Sequence, residues 1–136
     1  MDRPLSFDVR INAAFDDAIE RTTAALKEQG FGVLTRIDVH DTLREKIGVD
    51  FRRYVILGAC NPPIAHRALS RRAEVGLMLP CNVTVDEVEA GTVDVRIANP
   101  HAMMEVVGED AELAAVADEA TKRLQNVAAS LAGRRD

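Results

Sequence analysis

Apolar and polar residues alternate at the start of the chain, where Leu5, Phe7, Val9 and Ile11 are separated by Ser6, Asp8 and Arg10. A period of two marks a strand with one buried face. The period then lengthens. Phe15, Ala18, Ile19, Thr22, Ala25 and Leu26 fall on one side of a helix, and Gly30 stands where a left-handed residue would end it. Alternation resumes through Phe31, Val33, Thr35, Ile37 and Val39, predicting a second strand. If the two strands are parallel in one sheet, the unit is a right-handed crossover. Thr42 and Glu45 have the spacing of a capping box, predicting a short helix that Gly48 closes. Arg53 to Cys60 is apolar on both faces and predicts a third, centrally placed strand.

Asn61-Pro62-Pro63 then opens a third helix, with asparagine as the cap and proline in the first turn, where its missing N–H is not needed. Ile64, Ala65, Ala68 and Leu69 form its buried stripe. Leu77, Leu79, Cys81, Val83 and Val85 share one face of a fourth strand, and Met78, Pro80, Asn82, Thr84 and Asp86 share the other. Pro80 cannot donate to a ladder, so an edge or an irregularity is expected there. A turn at Glu89-Ala90-Gly91-Thr92 leads into a fifth strand through Val93, Val95 and Ile97, completing an antiparallel hairpin. Asn99-Pro100 breaks the chain, and residues 101–108 read as a loop. From about Asp110 a long helix buries Leu113, Val116, Ala117, Ala120, Leu124, Val127, Ala128 and Leu131. The order β-α-β-α-β-α-β-β-α, with several strands polar on one face, predicts an α+β, two-layer sandwich. It has a mixed five-stranded sheet with helices on one face, and residues 1–136 form a single domain.

Composition narrows the function classes. The chain is 47% hydrophobic and 29% charged, an ordinary globular balance, but only 4% aromatic, so the core must be aliphatic. A net charge of -5 argues against nucleic acid and anionic membranes as partners, and the terminal Arg134-Arg135 pair does not reverse that. No run approaches the roughly 18 apolar residues of a membrane span. The start, Met1-Asp2-Arg3-Pro4, leads into strand alternation instead of a signal-peptide apolar run. The expected compartment is the cytoplasm, where thiols stay reduced.

Three blocks carry a family resemblance. Phe31 to Val39 (FGVLTRIDV), Tyr54 to Pro62 (YVILGACNP) and Leu77 to Val83 (LMLPCNV), in this order and spacing, resemble the domain-of-unknown-function family numbered 302. The resemblance runs from about Phe7 to Leu131 and includes both Cys-Asn pairs. It implies a small α/β domain and a homo-oligomer, and it supplies no substrate and no catalytic residue.

The candidate chemistry gathers at those Cys-Asn pairs, Cys60-Asn61 and Cys81-Asn82, which hold the only two cysteines of the chain. Cys60 ends a strand just before a helix N-terminus, where backbone N–H groups and the helix dipole favour a thiolate. Ligands of open α/β sheets sit beyond such strand ends. The competing reading of Cys60 is a small buried hydrophobe beside a capping asparagine. Cys81 falls on the core face of its strand, and Asn82 points the other way. His66 lies one turn into the third helix. A Cys/His metal set of Cys60, Cys81, His66 and His101 lacks metal-ligand spacing, so neither a metal nor a cofactor is expected. Met103 and Met104, with Met78, could line an apolar pocket. No phosphate loop, nucleophile elbow or Cys-x-x-Cys motif is present.

The sequence therefore points first to a binding module, a homodimer that takes a small ligand or a protein partner near Cys60, Asn61, His66, Cys81 and Asn82. Its alternative is a thiol-based redox protein or enzyme using Cys60, with Cys81 as resolving partner. The expected thiols are reduced, with Cys60 the more accessible.

Overall fold

A computed structural model describes residues 4–133, so Met1 to Arg3 and the Arg134-Arg135 pair lie outside the described residues. Five strands, β1 (Ser6–Asn12), β2 (Gly32–Asp38), β3 (Tyr54–Cys60), β4 (Cys81–Glu89) and β5 (Thr92–Ala98), form one sheet in the order β1-β5-β4-β3-β2. Every neighbouring pair is antiparallel, so the expected mixed sheet is corrected to a purely antiparallel one. β1 and β2 do run in the same direction, but at opposite edges, and the helix between them crosses the whole sheet. β3 lies inside the sheet, between β4 and β2, and the central place belongs to β4.

The helices are α1 (Phe15–Glu28), α2 (Val39–Ile47), α3 (Pro62–Arg71), α4 (Pro100–Met104) and α5 (Ala111–Leu131), with a 3₁₀ turn at Ala73–Met78. α1 and the C-terminal half of α5 cover one face of the sheet. There Phe15, Ala18 and Leu26 of α1 and Leu124, Val127 and Leu131 of α5 meet Val55, Leu57, Val83, Val85, Val93, Val95 and Ile97. The α5 stripe is the one its periodicity predicts, and Asp110 caps it by accepting from the N–H groups of Glu112 and Leu113. Gly30, at φ +85°, follows α1 in the left-handed conformation expected of it.

α2 differs from expectation. It begins at Val39, and Thr42 does not cap it; the Thr42 hydroxyl donates back to the Asp38 carbonyl at 3.2 Å. The loop read at 101–108 contains α4, whose cap is Asn99, accepting from the N–H of His101 at 3.0 Å.

Strand β2 holds the largest departure from pattern. Val33 pairs with Ala59 and Thr35 with Gly58, leaving Leu34 as an extra residue in a bulge. One extra residue inverts the parity of everything after it. Phe31 and Val33 therefore face the helices, whereas Thr35 and Ile37 turn to the opposite face, Ile37 opposite Ile56.

That opposite face is divided. Toward β1 it is ionic: Arg10 pairs with Asp94 at 2.7 Å, and Arg52 and Arg96 clasp Asp86 at 2.6 and 3.0 Å. Burial of Asp86 would raise its pKa, but the hydrogen bonds from Arg52 and Arg96 outweigh it and hold the carboxyl below the usual carboxylate range. Toward β2 the face is apolar, with Ile37, Ile56 and Tyr54, and with the Phe51 ring against Tyr54. No described helix is long and apolar enough to cross a membrane.

Candidate functional site

Pro80 sets where the fourth strand begins. Without an N–H it cannot extend the ladder, so β4 starts at Cys81, and the expected strand residues Leu77 and Met78 instead belong to the 3₁₀ turn. Leu77 is consequently exposed, not on a core face. A Cβ on Gly58 would lie 2.8 Å from Pro80 Cγ, so it is the missing side chain of Gly58 that lets Pro80 close down on β3.

Cys81 pairs with Ala59 across the ladder, which puts Cys60 one residue along from its partner. Both thiols are free. Cys81 packs against the core of the sheet. Burial, reinforced by the neighbouring Cys60, pushes its thiol up to about 11.

Asn61 is buried and bonded through both ends of its amide. Its Oδ1 accepts from the Ile64 N–H at 3.3 Å, capping α3, and its Nδ2 donates to the Gln29 carbonyl at 3.4 Å. A Cβ on Gly30 would lie 2.8 Å from that Nδ2, so glycine at this position serves close approach as well as chain reversal.

Beyond the end of the sheet lies a second core of Ile64, Ala68, Val75, Leu113, Val116 and Ala120, with Leu79 and Met104 against it. At about 1.5 Å per residue α5 is roughly 32 Å long, enough for its C-terminal half to serve the sheet and its N-terminal half to serve this second core. Between the two cores is a cavity of about 90 Å³. Only roughly 10–15 Å³ of such space admits a single water, so the cavity has room for a small ligand. Phe31, Ala59, Cys60, Asn61, Cys81 and Asn82 form the wall on the sheet side; Ala68, Met78, Met103, Met104, Ala117 and Ala120 face them.

The family model described as domain of unknown function DUF302 matches residues 7–131. The chain belongs to the DUF302 family. A crystal structure of an uncharacterized conserved DUF302 protein from Bacillus stearothermophilus is similar to it, with 34% sequence identity and a TM-score of 0.83, covering 92% of this chain and 96% of that one. No curated protein matches the sequence.

This DUF302 chain thus brings four of the five sequence-predicted site residues to one cavity: Cys60, Asn61, Cys81 and Asn82. His66 does not join them and stands exposed on α3. His101 is elsewhere too, its Nε2 2.7 Å from Asp118 Oδ1 beside a separate cleft. The Cys/His metal set weighed from the sequence is therefore not assembled. Met78, Met103 and Met104 line the cavity, as an apolar-pocket reading of them expects. Sequence reasoning missed the far wall. Ala117 and Ala120 read as ordinary core positions of α5, and only their small size hints that space is left in front of them.

Proposed function

We propose that this DUF302 chain is a homodimeric binding module that takes a small apolar ligand into the cavity beside Cys60 and Cys81. The observation that carries the reading is the cavity itself, apolar on most of its surface and bordered by a few polar groups at the strand ends. Pockets of that composition are the default ligand sites of small domains. Asn82, exposed at the rim, supplies a hydrogen-bonding group for orientation. Asn61 contributes shape, because its amide is held in place by the Ile64 N–H and the Gln29 carbonyl. The reading places the module in the cytoplasm, with both thiols reduced.

Benzene is the probe of choice, since apolar cavities of this order take it up. Saturating it at about ten times its Kd should raise stability by about 1.4 kcal/mol, read as a rise in Tm. Ala117→Leu, which adds three carbons to the cavity wall, should abolish the rise. No effect of benzene on the wild-type chain would remove the reading.

The reading assigns the dimer contact to the apolar part of the uncovered sheet face, around Ile37, Ile56, Tyr54 and Phe51, with Leu34 exposed at the adjoining edge. A second copy would cover it by isologous contact. Light scattering at micromolar concentration is expected to give twice the 14.8 kDa chain mass, and Ile37→Glu should return it to the single-chain value.

A thiol-based reading is favoured by one observation, that Cys60 and Cys81 lie on adjacent strands and border the same cavity. It assigns Cys60 as the reactive group, since Cys81 stays protonated until about pH 11. Alkylation of the native protein between pH 7 and 9 should then modify Cys60 ahead of Cys81. Equal inertness of the two thiols would leave the binding module alone.

A further inference from the structure

The wall of the cavity is of two kinds. Ile64, Ala68, Val75, Leu113, Val116 and Ala120 are buried in the second core, and Ala59 and Cys81 are held by their ladder. Met103 and Met104 have no such support. They border the cavity from α4 and are only half-buried, and among the described residues 101–109 none is fully buried. A segment with few buried contacts opens at lower cost than the core beneath it.

The two ends of this segment, by contrast, are fixed. Asn99 is buried, its Oδ1 accepting from the His101 N–H at 3.0 Å and its Nδ2 donating to the Pro4 carbonyl at 2.9 Å. At the other end Asp110 caps α5 and pairs with Arg71 at 3.0 Å. Just before it Gly108 sits at φ +95°, and a Cβ there would meet nothing within 4 Å. Glycine at this position therefore serves a bend, the kind of residue that absorbs rotation at a hinge.

The middle of the segment is tied down by side chains. His101 Nε2 lies 2.7 Å from Asp118 Oδ1, but His101 is two residues from the Asn99 anchor and has little leverage on the far end. Arg72 acts there: its Nη1 donates to the Val107 carbonyl at 3.3 Å, while Glu74 steadies the guanidinium with a carboxylate oxygen 3.1 Å from Nη2. Arg72 is the residue from which the 3₁₀ turn Ala73–Met78 starts, and that turn brings Met78 to the cavity. One hydrogen bond thus joins the two mobile sides of the wall. We propose that α4 and the turn through Val107 form a lid on the cavity, with Arg72 as the clasp whose release lets a ligand in. The proposal rests on the reading of the cavity as a ligand site and adds how that site is entered.

The test is amide hydrogen exchange of the full chain, with benzene binding kinetics by NMR, on wild type, Arg72→Ala and Arg72→Lys. The N–H groups of Met103, Glu105 and Val107 donate to the carbonyls of Asn99, His101 and Met104, so they report opening of the lid. In Arg72→Ala they should exchange about tenfold faster, the lower end for loss of a hydrogen bond from a charged donor. Amides in the C-terminal half of α5 should keep their wild-type rates. Benzene association and dissociation should accelerate together, with Kd held within about twofold, because a lid that is still mostly closed leaves the bound state nearly unchanged. Arg72→Lys, which keeps a cationic donor, should fall between the two. Equal acceleration across the lid and α5 would make Arg72 a general stabiliser and overturn the proposal, as would a weaker Kd at unchanged rates. Lid amides unaffected by Arg72→Ala in a chain that still binds benzene sink the clasp and leave the binding module standing. A faster lid in a chain that benzene does not stabilise removes the module, and the gate with it.

Discussion

Leu124→Ala should destabilise the protein by about 2–5 kcal/mol, the usual cost of truncating a buried leucine. Leu124 is fully buried and packs within the core of the sheet, on the α5 face that also carries Val127 and Leu131. The lost transfer energy and the void left behind both count, and α5 is held at its other end by the second core, so it has little freedom to collapse onto the gap. Chemical denaturation with an unchanged m-value is the measurement. A loss under about 0.5 kcal/mol, typical of a surface substitution, would mean that the stripe does not face the sheet.

The second large effect is on alkaline stability. A free cysteine ionises near pH 8.5 in an unfolded chain, whereas the folded protein holds Cys81 up to about 11. The stabilising contribution is therefore complete below about pH 8.5 and is lost as pH rises toward 11, because only the unfolded state gives up its proton in that window. A difference of about 2.5 units corresponds to about 3.4 kcal/mol lost across the window. Cys81→Ala should flatten this limb of the stability curve while leaving the curve below pH 8 parallel to wild type. An equal alkaline loss in Cys81→Ala would assign the effect to another group. The prediction concerns the reduced chain.

Sequence pattern was a sound guide wherever one element meets one environment. The α5 stripe from Leu113 to Leu131 is local and periodic and stands as its pattern predicts, and so does the Gly91 turn, although the hairpin ladder shifts register between Glu87 and Glu89. The Asn61 cap is local as well, and the structure adds only what the asparagine reaches on its other side, the end of α1. Pattern failed where one residue changes the count. Leu34 is indistinguishable in composition from any strand leucine, yet as the bulged residue it sends Thr35 and Ile37 to the opposite face from Val33. Strand direction was also beyond reach, because β3 is apolar on both faces for a reason other than parallel packing: its second face carries Ile56 and Tyr54 next to Ile37. At the candidate site, Cys60 and Cys81 could be singled out by their matching neighbours, but their adjacency depends on the register of Ala59 with Cys81. His66 is near Asn61 along the chain, but helical rotation carries it out to solvent.

The bulge at Leu34 also bears on how association stops. A flat sheet with two free edges is a template that further copies can lengthen without limit, strand upon strand. In this protein the β2 edge is interrupted one-third of the way along by the residue that fits no ladder, and the β1 edge presents the charged Asp8 and Arg10. Both edges are thereby poor templates for open-ended growth, which is the condition the proposed face-to-face dimer needs in order to stop at two.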